Sequence, residues 1–126
     1  LKKKKKNSKF SQRELANDLG FSVGKLNFVT THLQSVYEDI SKKQLIKLVE
    51  HSPFDNFIIL GDLNNSSVYD ILNLPVNNIC NTCDNLILDY ILPINYNNLD
   101  LSVSVLNINI NNTSDHLPIF GEIKSR

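Results

Sequence analysis

The chain has no methionine, no tryptophan, only two cysteines and no apolar run approaching the length of a membrane span. Each shortage excludes something. Without about 20 consecutive apolar residues no helix can cross a bilayer, and the sequence also lacks a secretory h-region. Cys80 and Cys83 form a Cys-x-x-Cys, but a four-ligand zinc site needs a second pair, and no cysteine or histidine close in sequence supplies one. They read as two ordinary thiols. A chain that begins at Leu1 and holds no initiator reads as a piece of something longer. The lack of tryptophan, beside abundant Asn, Ile and Lys, is what a biased genome produces and carries no function.

What is present suits one small domain: 126 residues, 41% of them hydrophobic, with zero net charge. The charge is unevenly placed. Lys2, Lys3, Lys4, Lys5 and Lys6, with Lys9 and Arg13, hold seven of the 13 positive charges, so the remainder is acidic. Such a run is ordinarily a solvated arm. The functional alternative is steering toward an anionic surface, nucleic acid or lipid. Asn64, Asn65, Asn111 and Asn112 each begin an N-glycosylation pattern beside the candidate site, where a glycan would block it, which argues for an intracellular location or a non-glycosylating host.

The organising stretch is Phe57-Ile58-Ile59-Leu60-Gly61-Asp62-Leu63-Asn64. Four consecutive large apolar residues cannot alternate between core and water, so the stretch predicts a central strand covered on both faces. Asp62 and Asn64, two residues apart, would project from one side of an extended chain. Before it, Glu14–Val23 and Leu26–His32 predict two strands joined at Gly24-Lys25, the second with β-branched and aromatic character. Ser35–His51 predicts a helix with Tyr37, Ile40, Leu45, Leu48 and Val49 inward and Lys42, Lys43 and Lys47 outward, stopped before Pro53.

Beyond it, Ser66 or Ser67 can cap a short turn of helix. Leu86–Leu92 predicts a strand whose Asp89 needs a partner if buried. Leu99, Leu101, Val103 and Val105 alternate with polar residues, and Leu106, Ile108 and Ile110 continue on the opposite parity, which predicts a bulge or bend near Val105-Leu106. A last strand, Leu117–Ile123, follows Asp115 and His116. An aspartate and a histidine at strand ends are, taken singly, ordinary structural residues.

Four stretches in order, Thr30-Thr31-His32-Leu33, Gly61-Asp62-Leu63-Asn64, Leu88-Asp89-Tyr90-Ile91 and Ser114-Asp115-His116-Leu117-Pro118, resemble the motifs of the endonuclease/exonuclease/phosphatase family of metal-dependent phosphoesterases. The resemblance runs from Leu26 to Ile123 and covers the C-terminal half of that family's domain. It implies an α+β fold, half of a four-layer αββα sandwich with mixed, mainly antiparallel sheets. Residues 1–25 would then be a basic segment and first strand of a truncated domain, and residues 26–126 its C-terminal half.

The chemistry implied is phosphodiester hydrolysis, which brings hydroxide to an anionic phosphorus, stabilises charge on equatorial oxygens and protonates a leaving alkoxide. By resemblance, His116 is the general base and Asp89 the carboxylate that orients it. Asp62 positions the nucleophile, Asn64 stabilises the transition state, and His32 contacts phosphate as a candidate general acid. Asp115 and Asp62 are the metal carboxylates, for Mg²⁺ or Mn²⁺; Mg²⁺ takes only one or two carboxylates and keeps several waters. Thr-His-Leu-Gln-Ser looks most like the sphingomyelinase-type branch, while apurinic endonucleases and deadenylases carry related motifs, so the substrate is a phospholipid headgroup or a nucleic acid. One departure weighs against catalysis: the family's metal-binding glutamate and early asparagine lie in its N-terminal half, and nothing before Thr30 matches them. The alternative is therefore a catalytically incomplete fragment or a non-catalytic binding remnant.

Overall fold

A computed structural model describes residues 25–97, 99–110 and 113–125. The lysine run and the expected strand within Glu14–Val23 lie outside them. The elements are β1 (Phe28–His32), α1 (Glu38–His51), β2 (Phe57–Asp62), α2 (Val68–Leu72), β3 (Asp89–Ile94), β4 (Leu99–Val105) and β5 (Ile119–Ser125). The fold is mixed α+β with two sheets. One has the order β1-β2-β3, parallel between β1 and β2 and antiparallel between β2 and β3; the other is the antiparallel pair β4-β5.

The apolar run of β2 is the central strand, and its alternation divides the core. Phe57 and Ile59 join Leu45 of α1, Val68 of α2, and Tyr90, Leu92 and Ile94 of β3 on the helical face. Ile58 and Leu60 join Ile91, Leu99, Leu101, Val103, Ile119 and Ile123 on the face toward the second sheet. Side chains at successive strand positions point oppositely, so a strand packed on both faces needs both parities apolar. Fully burying one such side chain stabilises the fold by about 1.5–3 kcal/mol.

The second sheet is built differently. Leu99, Leu101, Val103 and Val105 turn inward while Asp100, Ser102 and Ser104 are exposed, the alternation of a sheet with one wet face. The sheets approach closely at Gly121, where a Cβ would lie 3.2 Å from both Ile91 Cδ1 and Leu101 Cδ1. Among the described residues no helix is long and apolar enough to cross a membrane.

Several boundaries differ from expectation, each for a local reason. The first helix starts at Glu38 rather than Ser35 because Val36 has φ 78°, outside helical space. Tyr37 and Ile40 are exposed; Ser41 takes the inward position, its hydroxyl within 3.1 Å of the Asn64 carbonyl. Lys42, Lys43 and Lys47 are outward as expected. Ser67 stands at the N-cap of α2 without a side-chain cap bond, and the Ser66 hydroxyl instead donates to Glu38 at 3.0 Å. The parity switch near Val105-Leu106 marks the end of β4 and not a bulge: Leu106 donates its N–H to Pro118, and Leu106 and Ile108 are exposed. The last strand begins two residues later than expected, at Ile119.

Candidate active site

Strand register carries three chemical side chains to one place. His32 of β1 lies opposite Asp62 of β2, and Asp62 lies opposite Asp89 of β3. Directly opposed residues share a face. Asp62 has the parity of Ile58 and Leu60, so the row faces the second sheet, where the segment ahead of β5 brings in Asp115 and His116. Two carboxylates opposed across a strand pair repel each other unless a donor or cation stands between them.

The His116 ring stands between them. Its Nδ1 lies 2.6 Å from Asp89 Oδ2, and its Nε2 lies 3.7 Å from Asp62 Oδ2. All three side chains are largely buried: the exposed fractions are 23% for His116, 18% for Asp62 and 17% for Asp89. Burial pulls the imidazole pKa down, but the Asp89 hydrogen bond and the charges of Asp89, Asp62 and Asp115 outweigh it, leaving His116 above its ordinary value. His32 Nε2 lies 3.4 Å from Asp62 Oδ2 with its ring mostly in solvent, and the exposed Asp115 sends Oδ1 to 3.9 Å from His116 Nε2.

Asn64 is placed otherwise than an extended chain would place it. Its φ is 48°, its backbone N–H donates to Asp62 Oδ1 at 2.9 Å, and its carboxamide donates to the Leu33 carbonyl at 2.7 Å. Asn64 thus orients the Asp62 carboxylate, leaving Oδ2 to face the two histidines. The neighbouring Asn65 is buried, its carboxamide donating to Glu38 O and Ser41 Oγ. Tyr90 holds the same loop from below, its hydroxyl 2.6 Å from the Asn65 carbonyl, with burial pushing the phenol pKa up.

Sequence reading missed Thr82 and Cys83. Thr82 is buried; its hydroxyl accepts the N–H groups of Leu88 and Asp89, and its carbonyl accepts that of Leu117 at 2.7 Å. It fastens the start of β3 to the segment carrying His116. A threonine within Asn-Thr-Cys-Asp gives no periodic signal, so nothing in the sequence marks it. Cys83 and Cys80 are free thiols, yet Cys83 reaches the site.

Among the described residues two groups of side chains can hold a metal ion: Asp62, Asp89 and His116, and Cys83, Asp115 and His116, each with its ligand atoms within 4.8 Å of one another. The expected metal carboxylates, Asp62 and Asp115, fall in different groups that share His116. A cleft of about 500 Å³ at the other end of β2, lined among others by Glu50, Asp55, Phe57 and Ile94, holds no histidine. Comparison of the chain with protein-family models, curated proteins and solved structures finds no match.

Proposed function

We propose that this chain carries the catalytic half-site of a Mg²⁺-dependent phosphodiester hydrolase. The observation that carries the reading is the 2.6 Å contact between Asp89 Oδ2 and His116 Nδ1, with Asp62 on the far side of the ring. An imidazole held at Nδ1 by a carboxylate presents Nε2 as a base. His116 Nε2 accepts a proton from the attacking water, and Asp89 stabilises the imidazolium that forms. Asp62, fixed through Oδ1 by the Asn64 N–H, offers Oδ2 to orient that water. Asn64 gives one amide hydrogen to Leu33 and keeps its second for a phosphate oxygen. His32, in solvent beside Asp62, meets the phosphate and serves as acid.

Asp62, grouped with Asp89 and His116, supplies a hard oxygen donor that suits Mg²⁺ or Mn²⁺, and the exposed Asp115 supplies another from the neighbouring group that shares His116. Bound there, the cation would supply positive charge to the phosphate oxygens and the leaving alkoxide. The helix-sheet-sheet layering supports half of an αββα sandwich. The buried Asn65 carboxamide donates to Glu38 O and Ser41 Oγ, bonds that a glycan would break, which supports a setting without N-glycosylation, an intracellular one or a non-glycosylating host. The Thr30-Thr31-His32-Leu33 stretch favours a sphingomyelinase-like substrate over a nucleic acid. The second reading, an incomplete fragment or binding remnant, is favoured by the lack of a glutamate in either metal-competent group.

The test is turnover of sphingomyelin, an abasic-site duplex and poly(A) RNA, each with Mg²⁺ and with EDTA. It is run on the 126 residues and on any longer product of the same reading frame. Little turnover is expected from the 126 residues alone. In the longer product Mg²⁺-dependent cleavage is expected, with His116→Ala lowering it at least about 1,000-fold while the fold persists. Metal-independent turnover, or full activity in His116→Ala, would overturn the mechanism. Silence toward all three substrates would favour the binding remnant.

A further inference from the structure

We propose that Cys83, Asp115 and His116 form a second, thiophilic cation site that takes Zn²⁺ and competes with the base function of His116. The three ligand atoms, a thiol sulfur, a carboxylate oxygen and an imidazole nitrogen, lie within 4.8 Å of one another. Around a tetrahedral zinc, with bonds of about 2.0–2.3 Å, ligand atoms sit roughly 3.3–3.7 Å apart. Asp115 Oδ1 and His116 Nε2 are already at 3.9 Å, and the exposed Asp115 side chain can rotate to close the rest.

Two features besides proximity favour a cation here. The Asp89 carboxylate holds His116 at Nδ1, which leaves the Nε2 lone pair for a ligand; a carboxylate behind an imidazole is the arrangement that orients and strengthens a metal-bound histidine. The thiol is also held by backbone. Cys83 and Leu86 exchange N–H to carbonyl bonds at 3.1 and 2.9 Å across a turn with Asp84 at φ 51°. The preceding Thr82 is bonded both to the start of β3 and to Leu117. The Cys83 backbone is therefore positioned against the His116 segment through hydrogen bonds on both sides.

The donor set discriminates between metals. A thiolate beside an imidazole selects Zn²⁺ over Mg²⁺, whereas the Asp62, Asp89 and His116 group is richer in hard oxygen. Burial, followed by the negative charges of Asp84, Asp115, Asp89 and Asp62, pushes the Cys83 thiol pKa up. The same charges that disfavour a bare thiolate attract a dication. On binding, the Cys83 S–H bond breaks, its proton leaves to solvent and the sulfur lone pair bonds zinc. A water completes the fourth position.

Binding does not depend on the proposed hydrolysis; the competition does, because it rests on His116 as base. The experiment therefore has two arms. The full chain is titrated with Co²⁺ and followed by the near-ultraviolet thiolate-to-cobalt charge-transfer band, then back-titrated with Zn²⁺. One Co²⁺ with a charge-transfer band that Zn²⁺ abolishes is expected in the unaltered chain. Cys83→Ser should lose the band and weaken Zn²⁺ binding at least about tenfold, Asp115→Asn should weaken it with the band retained, and Cys80→Ser should change neither. No band in the unaltered chain, or a band that survives Cys83→Ser or vanishes with Cys80→Ser, overturns the site. In the second arm, run on the longer product in which cleavage is expected, Mg²⁺-dependent turnover should fall with added Zn²⁺ and fall less when that product carries Cys83→Ser. Equal inhibition of both overturns the competition while leaving the binding result to stand alone.

Discussion

The two sheets contribute to the same site from unlike foundations. The three-stranded sheet supplies His32, Asp62 and Asp89 from strands in register, with the middle strand buried on both faces. The two-stranded sheet supplies Asp115 and His116 from a segment ahead of β5, and its outer face is wet. A carboxylate at the end of a doubly covered strand has its backbone fixed by packing. A histidine ahead of a half-exposed strand does not, and here its position depends on a few hydrogen bonds, chiefly the Leu117 N–H to the Thr82 carbonyl and the Asp89 contact. Rigidity comes from one sheet, and the histidine that pairs with Asp89 is delivered by the other.

The two glycines that mark close approach should separate the sheets most sharply. A Cβ on Gly61, at φ 148°, would lie 2.0 Å from the Thr31 carbonyl oxygen, a backbone atom that cannot yield without parting β1 from β2. Gly61→Ala is expected to cost more than about 4 kcal/mol in urea denaturation, or to prevent folding. Gly121→Ala crowds only the side-chain methyls of Ile91 and Leu101, which can shift, and meets the Ser102 carbonyl oxygen at an ordinary 3.4 Å, so about 1 kcal/mol is expected. Equal costs would erase the distinction. Next in size, Ile59→Ala should cost about 3–4 kcal/mol, because the side chain is fully buried in a packed cluster. The half-buried Val103→Ala should cost about 1 kcal/mol.

Thr82→Val sharpens the comparison at the point where the sheets are joined. It keeps the volume but removes the acceptor of two amides, leaving them unpaired at an expected cost of about 1–3 kcal/mol. Because Thr82 is a positioning residue, the variant should also lower the His116 pKa toward its ordinary value as Asp89 loses its fixed place. A purely structural role would change stability and leave that titration alone.

Much of this organisation was legible in the residues. The continuous apolarity of Phe57 to Leu60 marked the central strand, the alternation from Leu99 to Val105 marked a half-wet strand, and the resemblance to strand-end motifs paired Asp89 with His116 before any coordinates. What was not legible depends on non-periodic contacts. The late helix start follows from the backbone of Val36, the inward place of Ser41 from a carbonyl that only the fold brings near, and the turn of Asn64 out of extended geometry from its bonds to Asp62 and Leu33. Cys83 read as an ordinary thiol because its neighbours Asp115 and His116 are more than thirty positions away in sequence. Of the bulge or bend predicted near Val105-Leu106, the bulge is absent and the strand simply ends there, because opposite parity past Val105 has no partner strand among the described residues.

The most direct test is the imidazole titration of His116, followed by nitrogen-15 NMR in the unaltered chain and in Asp89→Asn. In the folded chain the pKa is raised above the ordinary value of about 6.5. The sign for stability follows from that direction: the ionised pair adds stability fully present below about pH 6.5, which is lost as pH rises through the folded-state pKa. The account predicts a His116 midpoint above 6.5 with the neutral ring protonated at Nδ1, and a downward shift of that midpoint in Asp89→Asn. A midpoint at or below 6.5, or one that Asp89→Asn leaves unmoved, would contradict the pairing on which the site is built.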